Sequence, residues 1–233
     1  MESRLRKPLI YVITILIIAI VALLGMMIKN VFLERYVPQN PAEQAFAQAT
    51  ALVQKDPKNA EYLFQRAKAY SDLGRDSSAI EDLRQAIRLR PSAPMLHYTL
   101  AQIYANTGND RSAVLELKDE LRVTENRNEL AWFELGKTYN QHKDFEQAIF
   151  CLNNALIRMK TGADAHFELG KAYQGLGKYN LAAKEYGKVL EFIPDDTAAQ
   201  LALKKIYPKT SFAADSTFSN IGDTAQKTPS SKE

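Results

Sequence analysis

His97, His142, His166 and Cys151 are the side chains of this chain best suited to ligating a soft metal or acting as a nucleophile. His97 and His166 lie 69 residues apart. His142 sits in a polar stretch between two apolar patterns. A zinc site needs ligands that converge within a few ångströms, and this layout offers no convergent set, so no metal is expected. Cys151 stands between Phe150 and Leu152 and reads as a small packing residue. With one cysteine no intrachain disulfide is possible. Carboxylate pairs such as Glu81-Asp82 and Asp195-Asp196 fall on polar helix faces or at helix starts, where solvation and the helix dipole favour them. The sequence contains no Cys-x-x-Cys-His haem site and no Gly-x-Ser-x-Gly nucleophile turn. Gly175 and Gly177 make a turn without the preceding strand that a nucleotide fingerprint requires. No catalytic residue and no cofactor are expected, and the chain reads as a non-enzyme.

The elements that carry these residues repeat. From Ala60, Pro94, Glu129 and Ala163 the chain restates one pattern at a spacing close to thirty-four residues. A small residue recurs at the eighth position, as Ala67, Ala101, Gly136 and Gly170. Tyrosine follows three residues later, as Tyr70, Tyr104, Tyr139 and Tyr173. Gly74, Gly108 and Gly177 come four residues after that, where a helix end favours a left-handed residue. The third copy has Lys143 there, so its turn is expected to close differently. Alanine then recurs at Ala79, Ala113, Ala148 and Ala182, and Pro57, Pro91 and Pro194 end their helices. Glu125 and Lys160 stand in place of that proline, and Glu120 stands where a small residue is usual. Each unit is one helical hairpin, and stacked hairpins share a continuous core.

This pattern resembles the tetratricopeptide repeat family over residues 42–206. The resemblance implies an all-α superhelix of antiparallel helix pairs, with about four full repeats, a partial first repeat and a capping helix. It also implies a concave face lined by the first helix of each pair. The fifth position gives Phe64, Tyr98, Phe133 and Phe167, and the ninth gives Lys68, Gln102, Lys137 and Lys171. The twelfth adds Asn140 and Gln174. Residues four apart share a helix face, so an aromatic row runs beside a basic and amide row. Such a groove suits a protein or peptide partner with apolar anchors and some acidic groups. Chaperone-binding members of the family hold a terminal carboxylate with Lys at the fifth position and Asn at the ninth. Here those positions hold aromatics and Lys or Gln, so that ligand is not expected.

The remaining segments set the expected surroundings. Residues 9–28 carry no charge and are long enough for a helix to cross a bilayer core of about 30 Å. They read as a transmembrane helix, followed by a juxtamembrane linker over 29–41. Arg4, Arg6 and Lys7 outweigh Lys29 and Arg35, which predicts a cytoplasmic N-terminus over residues 1–8. The repeat domain, 42–207, is then placed outside the cytoplasm. Residues 208–233 are rich in Ser, Thr, Asp and Lys and read as a disordered tail. The net charge of +3 arises outside the repeat region, so no nucleic-acid footprint is present. The expected function is a membrane-anchored scaffold binding a partner in a bacterial membrane or envelope complex. The alternative is a cytosol-facing membrane receptor for protein targeting or import.

Overall fold

The computed structural model describes residues 16–26, 40–159 and 162–209. Helix α1 spans residues 16–26 and is exposed. The repeat region begins with α2 (Pro41–Lys55) and α3 (Ala60–Asp72). It continues with α4 (Asp76–Leu89), α5 (Leu96–Asn106), α6 (Asp110–Val123) and α7 (Glu129–Gln141). The series closes with α8 (Phe145–Leu156), α9 (Ala163–Gly175), α10 (Tyr179–Phe192) and α11 (Thr197–Ile206), and then a 3-10 turn over Tyr207–Lys209. No strand occurs among the described residues. The pairs α3/α4, α5/α6, α7/α8 and α9/α10 are the four hairpins read from the sequence.

Side-chain caps start several of these helices. Asn40, Asn59, Asn109, Asn128 and Asp196 each accept backbone N–H bonds from the first turn that follows, which satisfies donors the helix itself leaves open. Every element from α2 to α11 packs on the next, and α3 and α7 also touch α5 and α9, the first helices of the following repeats. Close approach depends on the small residues. Ala67, Ala101, Gly136 and Gly170 are buried, as are Ala79, Ala113, Ala148 and Ala182. A methyl group on Gly170 would lie 2.6 Å from the Tyr186 ring, so the larger partner in the fourth hairpin requires glycine there.

The turns correct one expectation. Gly74, Gly108 and Gly177 are left-handed, with φ of 68°, 75° and 71°. Lys143 takes the same conformation at φ 62°, so the third hairpin closes as the others do. Met95 is also left-handed, at φ 71°, and delays the start of α5 to Leu96.

The membrane assignment is also corrected. Among the described residues no helix is long and apolar enough to cross a membrane. The cytoplasmic placement of the N-terminus and the extracytoplasmic placement of the repeat domain both rested on that span, and they fall with it. Residues 1–15, including the first part of the apolar run, lie outside the described residues, as do 27–39 and 210–233.

Candidate functional site

The inner faces of α3, α5 and α7 enclose a cleft of about 500 Å³. Lys68, Gln102 and Lys137 reach it from the ninth position of three successive repeats. Asp72, Asn106 and Gln141 reach it from the thirteenth, one helical turn further along the same face. Glu134 and Asp110 complete its charge. The Lys137 ammonium donates to Glu134 Oε2 at 3.2 Å. His142 Nε2 lies 2.9 Å from Asp110 Oδ2. Lys68 Nζ stands 5.7 Å from the Phe64 ring centroid, within cation–π range. The cleft is therefore polar and carries both signs of charge. The basic and amide row expected from the sequence is answered by Asp72 and Glu134 from the same helices and by Asp110 at the start of α6.

The aromatic row lies beside this cleft and does not line it. Phe64 is half-buried against the core shared by the first three hairpins. Tyr98 is 7% exposed, and its hydroxyl accepts a bond from Gln102 Nε2 at 3.1 Å. Burial pushes the Tyr98 phenol up to about 12, with the Glu134 charge adding to the effect. Phe133 packs against the α8–α9 core, and Phe167 sits 5.4 Å from the Tyr186 ring. Lys171 stands 6.0 Å over Phe167 and donates to Glu168 Oε1 at 2.8 Å. Gln174 accepts from the Tyr186 hydroxyl at 3.0 Å. Asn140 is buried and donates to the backbone oxygen and Oε2 of Glu168 at 2.8 and 2.9 Å, which ties α7 to α9. Its own Oδ1 is buried without a partner. The cleft thus gathers Lys68, Gln102 and Lys137, while Asn140, Lys171 and Gln174 lie outside its lining.

Sequence reasoning missed a set of charged contacts inside the hairpins. Asp82, Glu116 and Glu185 share one position in the second helices, and Cys151 occupies it in the third repeat. Each acid reaches back to the first helix. Arg66 binds Asp82 with two bonds of 2.7 Å, and that bond raises the Arg66 pKa. His97 Nδ1 meets Glu116 Oε2 at 2.7 Å, and His166 Nδ1 meets Glu185 Oε2 at 2.7 Å. The partner of each of these two histidines is a glutamate of its own hairpin, not another histidine. The nineteen-residue step from His to Glu in two repeats was the signal available. Cys151 is buried, and burial pushes its thiol up to about 12, so it is not a thiolate near neutral pH.

Successive helical hairpins, each packed on the next, with a cleft along the first helices, define an α-solenoid. Family profiles agree with the geometry. A TPR repeat profile matches residues 67–108, and tetratricopeptide repeat profiles match 130–156 and 163–196. These matches and the fold support placing the helical domain in the tetratricopeptide repeat family. Human tetratricopeptide repeat protein 13 is 31% identical over 134 residues. That match covers 57% of this chain and only 15% of the relative's length. Among solved structures, MamA from Desulfovibrio magneticus RS-1 superposes with a TM-score of 0.60 at 20% identity, covering 70% of this chain and 92% of the other. YrrB, a TPR protein with an unusual peptide-binding site, gives a TM-score of 0.60 at 20% identity, covering 70% and 84%. At these identities the structural likeness is one of fold.

Proposed function

We propose that this chain is a scaffold that holds an extended polypeptide segment against the inner face of α3, α5 and α7. One observation carries the reading: Lys68, Gln102 and Lys137, from three separate repeats, converge on one polar cleft. In this reading Gln102, Asn106 and Gln141 supply amide groups that match a peptide backbone, and Lys68 attracts an acidic side chain. Phe64, Tyr98 and Phe133 act from beneath, fixing the helix faces that present those groups. Phe167, Lys171 and Gln174 extend the surface toward the fourth repeat, and the buried Asn140 holds α7 against α9 beneath it. The peptide-binding site of YrrB, on the same fold, supports a polypeptide ligand.

Selection of displayed random peptides against the full chain tests the reading. A selected peptide should lose at least roughly tenfold in affinity on combined Lys68→Ala, Gln102→Ala and Lys137→Ala substitution, about 1.4 kcal/mol or more. Lys204→Ala with Lys205→Ala, on exposed positions of α11, should leave it unchanged. Equal affinity in all three proteins would place the ligand elsewhere.

A further inference from the structure

We propose that His97, Glu116 and Asp119 form a binding site for one divalent transition-metal ion, of which zinc is the leading candidate, between α5 and α6. One ligand atom from each residue lies within 4.8 Å of the other two. His97 is buried on α5, and its Nδ1 already stands 2.7 Å from Glu116 Oε2. Asp119 lies three residues beyond Glu116 on α6, so both carboxylates project from one helix face. Zinc binds imidazole nitrogen and carboxylate oxygen at about 2.0–2.2 Å. Tetrahedral ligand atoms at that length stand about 3.4 Å apart, so the widest separation must close by roughly an ångström, and the 2.7 Å contact of Nδ1 with Oε2 must open and release its proton if Nδ1 is the ligand. The two carboxylates are partly exposed on flexible stems and can make that movement. Three protein ligands would leave a fourth position for water or for a group from a partner. One imidazole with two carboxylates suits zinc and its first-row neighbours better than calcium, which prefers oxygen alone.

The fourth repeat supplies the independent argument. It has the same histidine and glutamate, His166 and Glu185, at the same 2.7 Å. Three residues past that glutamate stands Lys188, whose ammonium donates to both Glu185 oxygens at 2.9 and 3.1 Å. Apart from the histidine that both repeats share, the fourth-repeat group sums to zero charge. In the second repeat the residue three past the glutamate is Asp119, and the same sum is minus two. The fourth hairpin carries its own cation, and the second has a second anion in that place. A dication restores the balance. The counter-charge at hand is Arg122, which donates to Asp119 Oδ1 at 2.7 Å, with side chains 76% and 42% exposed. Such an exposed pair contributes little, and it leaves the other Asp119 oxygen and Glu116 for the metal.

The test is zinc titration of the full chain by calorimetry, after chelator treatment and near neutral pH, with cobalt absorption as a second readout. The expected result is one equivalent bound. Asp119→Asn and His97→Gln should each weaken binding by at least roughly tenfold, the low end of what even outer-shell changes cost at metal sites. Arg122→Ala should tighten it, because the competing cation is gone. His166→Gln should change nothing, since Lys188 already serves that site. Asp119 is partly exposed, so Asp119→Asn keeps the test valid should His97→Gln unfold, with helicity confirming the fold of each variant. Unchanged affinity in Asp119→Asn, or no binding up to about 100 μM zinc, a threshold near 5.5 kcal/mol, would overturn the proposal.

Discussion

The second and fourth hairpins share a fold and differ in what fills it. Both place histidine on the first helix and glutamate nineteen residues later, in contact at 2.7 Å. Beyond that pair they diverge. Where the fourth has the apolar Val189, the second has Glu120, fully buried at 0% exposure. Where the fourth sets Gly170 against Tyr186, the second has Ala101 and Leu117 at the matching positions. The helical frame is common, and each polar or oversized residue is matched by a local adjustment. Glu120 shows how. Helix α5 begins after the left-handed Met95 with no side-chain cap of its own. Glu120 reaches across from α6, and its Oε1 accepts from the Met95 N–H at 2.9 Å and from Asn128 Nδ2 at 2.8 Å. Its Oε2 accepts from the Tyr98 N–H at 3.3 Å. A helix N-terminus favours negative charge through its free N–H groups and its dipole. Asn128 in turn caps α7, so one side chain links three helices across a repeat boundary.

The largest effect should therefore come from Glu120→Ala. It removes the acceptor from three donors and opens a cavity in the same step. An unpaired buried donor costs about 1–3 kcal/mol, so the loss should reach at least about 3 kcal/mol. The matching change in the fourth hairpin, Val189→Ala, removes apolar volume only and should cost about 2 kcal/mol. Urea unfolding followed by far-UV circular dichroism gives both numbers. A smaller loss for Glu120→Ala than for Val189→Ala would mean that the carboxylate is not the cap of α5.

Next comes the small residue between paired helices. A Cβ on Gly170 would lie 2.6 and 2.7 Å from Tyr186 Cε1 and Cδ1, ring atoms that cannot turn aside. Gly170→Ala should cost about 1–3 kcal/mol through overpacking, although alanine is the better helix former by about 1 kcal/mol. Ala101→Gly, the reverse change in the second hairpin, should cost about 1 kcal/mol through that same propensity. Adding Tyr186→Leu to Gly170→Ala copies the second-hairpin pair and should recover part of the loss, which a double-mutant cycle reads directly. Additive losses would show that the two positions do not share one contact.

The features that were legible in the sequence are those with phase. Helices α3, α7 and α9 begin at Ala60, Glu129 and Ala163, where the repeat register places them. The small residues sit at helix contacts and the glycines take left-handed turns. Less visible were contacts between helices whose partners are distant in sequence. Period alone places Phe64 and Lys68 on one helix face. It does not say that the ring is half-buried in the core while the ammonium lies over it at the cleft edge. The departures from the repeat, Glu120 above all, show in the sequence only as residues that break the pattern. Their partners are backbone N–H groups, which no sequence displays. The twenty-residue apolar run was read by length, and among the described residues no helix is long and apolar enough to cross a membrane.

The smallest expected effect extends the comparison to the turns, where the third hairpin stands apart from the second and fourth. In all four the residue after the turn donates to the tyrosine carbonyl: Arg75 to Tyr70, Asn109 to Tyr104, Asp144 to Tyr139 and Lys178 to Tyr173, at 2.8 to 3.0 Å. That bond requires a left-handed residue just before it, whichever side chain is present. Glycine meets the requirement without strain at three turns, and Lys143 meets it at φ 62°. The left-handed conformation costs a non-glycine residue about 1–2 kcal/mol, and glycine gives back roughly 0.5–1 kcal/mol through greater freedom in the unfolded chain. Lys143→Gly should therefore stabilise the protein by about 0.5–1 kcal/mol, the difference between those two terms. Gly108→Lys in the second hairpin should destabilise it by a similar amount. Paired shifts of opposite sign in the urea midpoint would establish that hairpin geometry dictates the turn. A loss in Lys143→Gly would instead show that the lysine side chain itself holds the third turn.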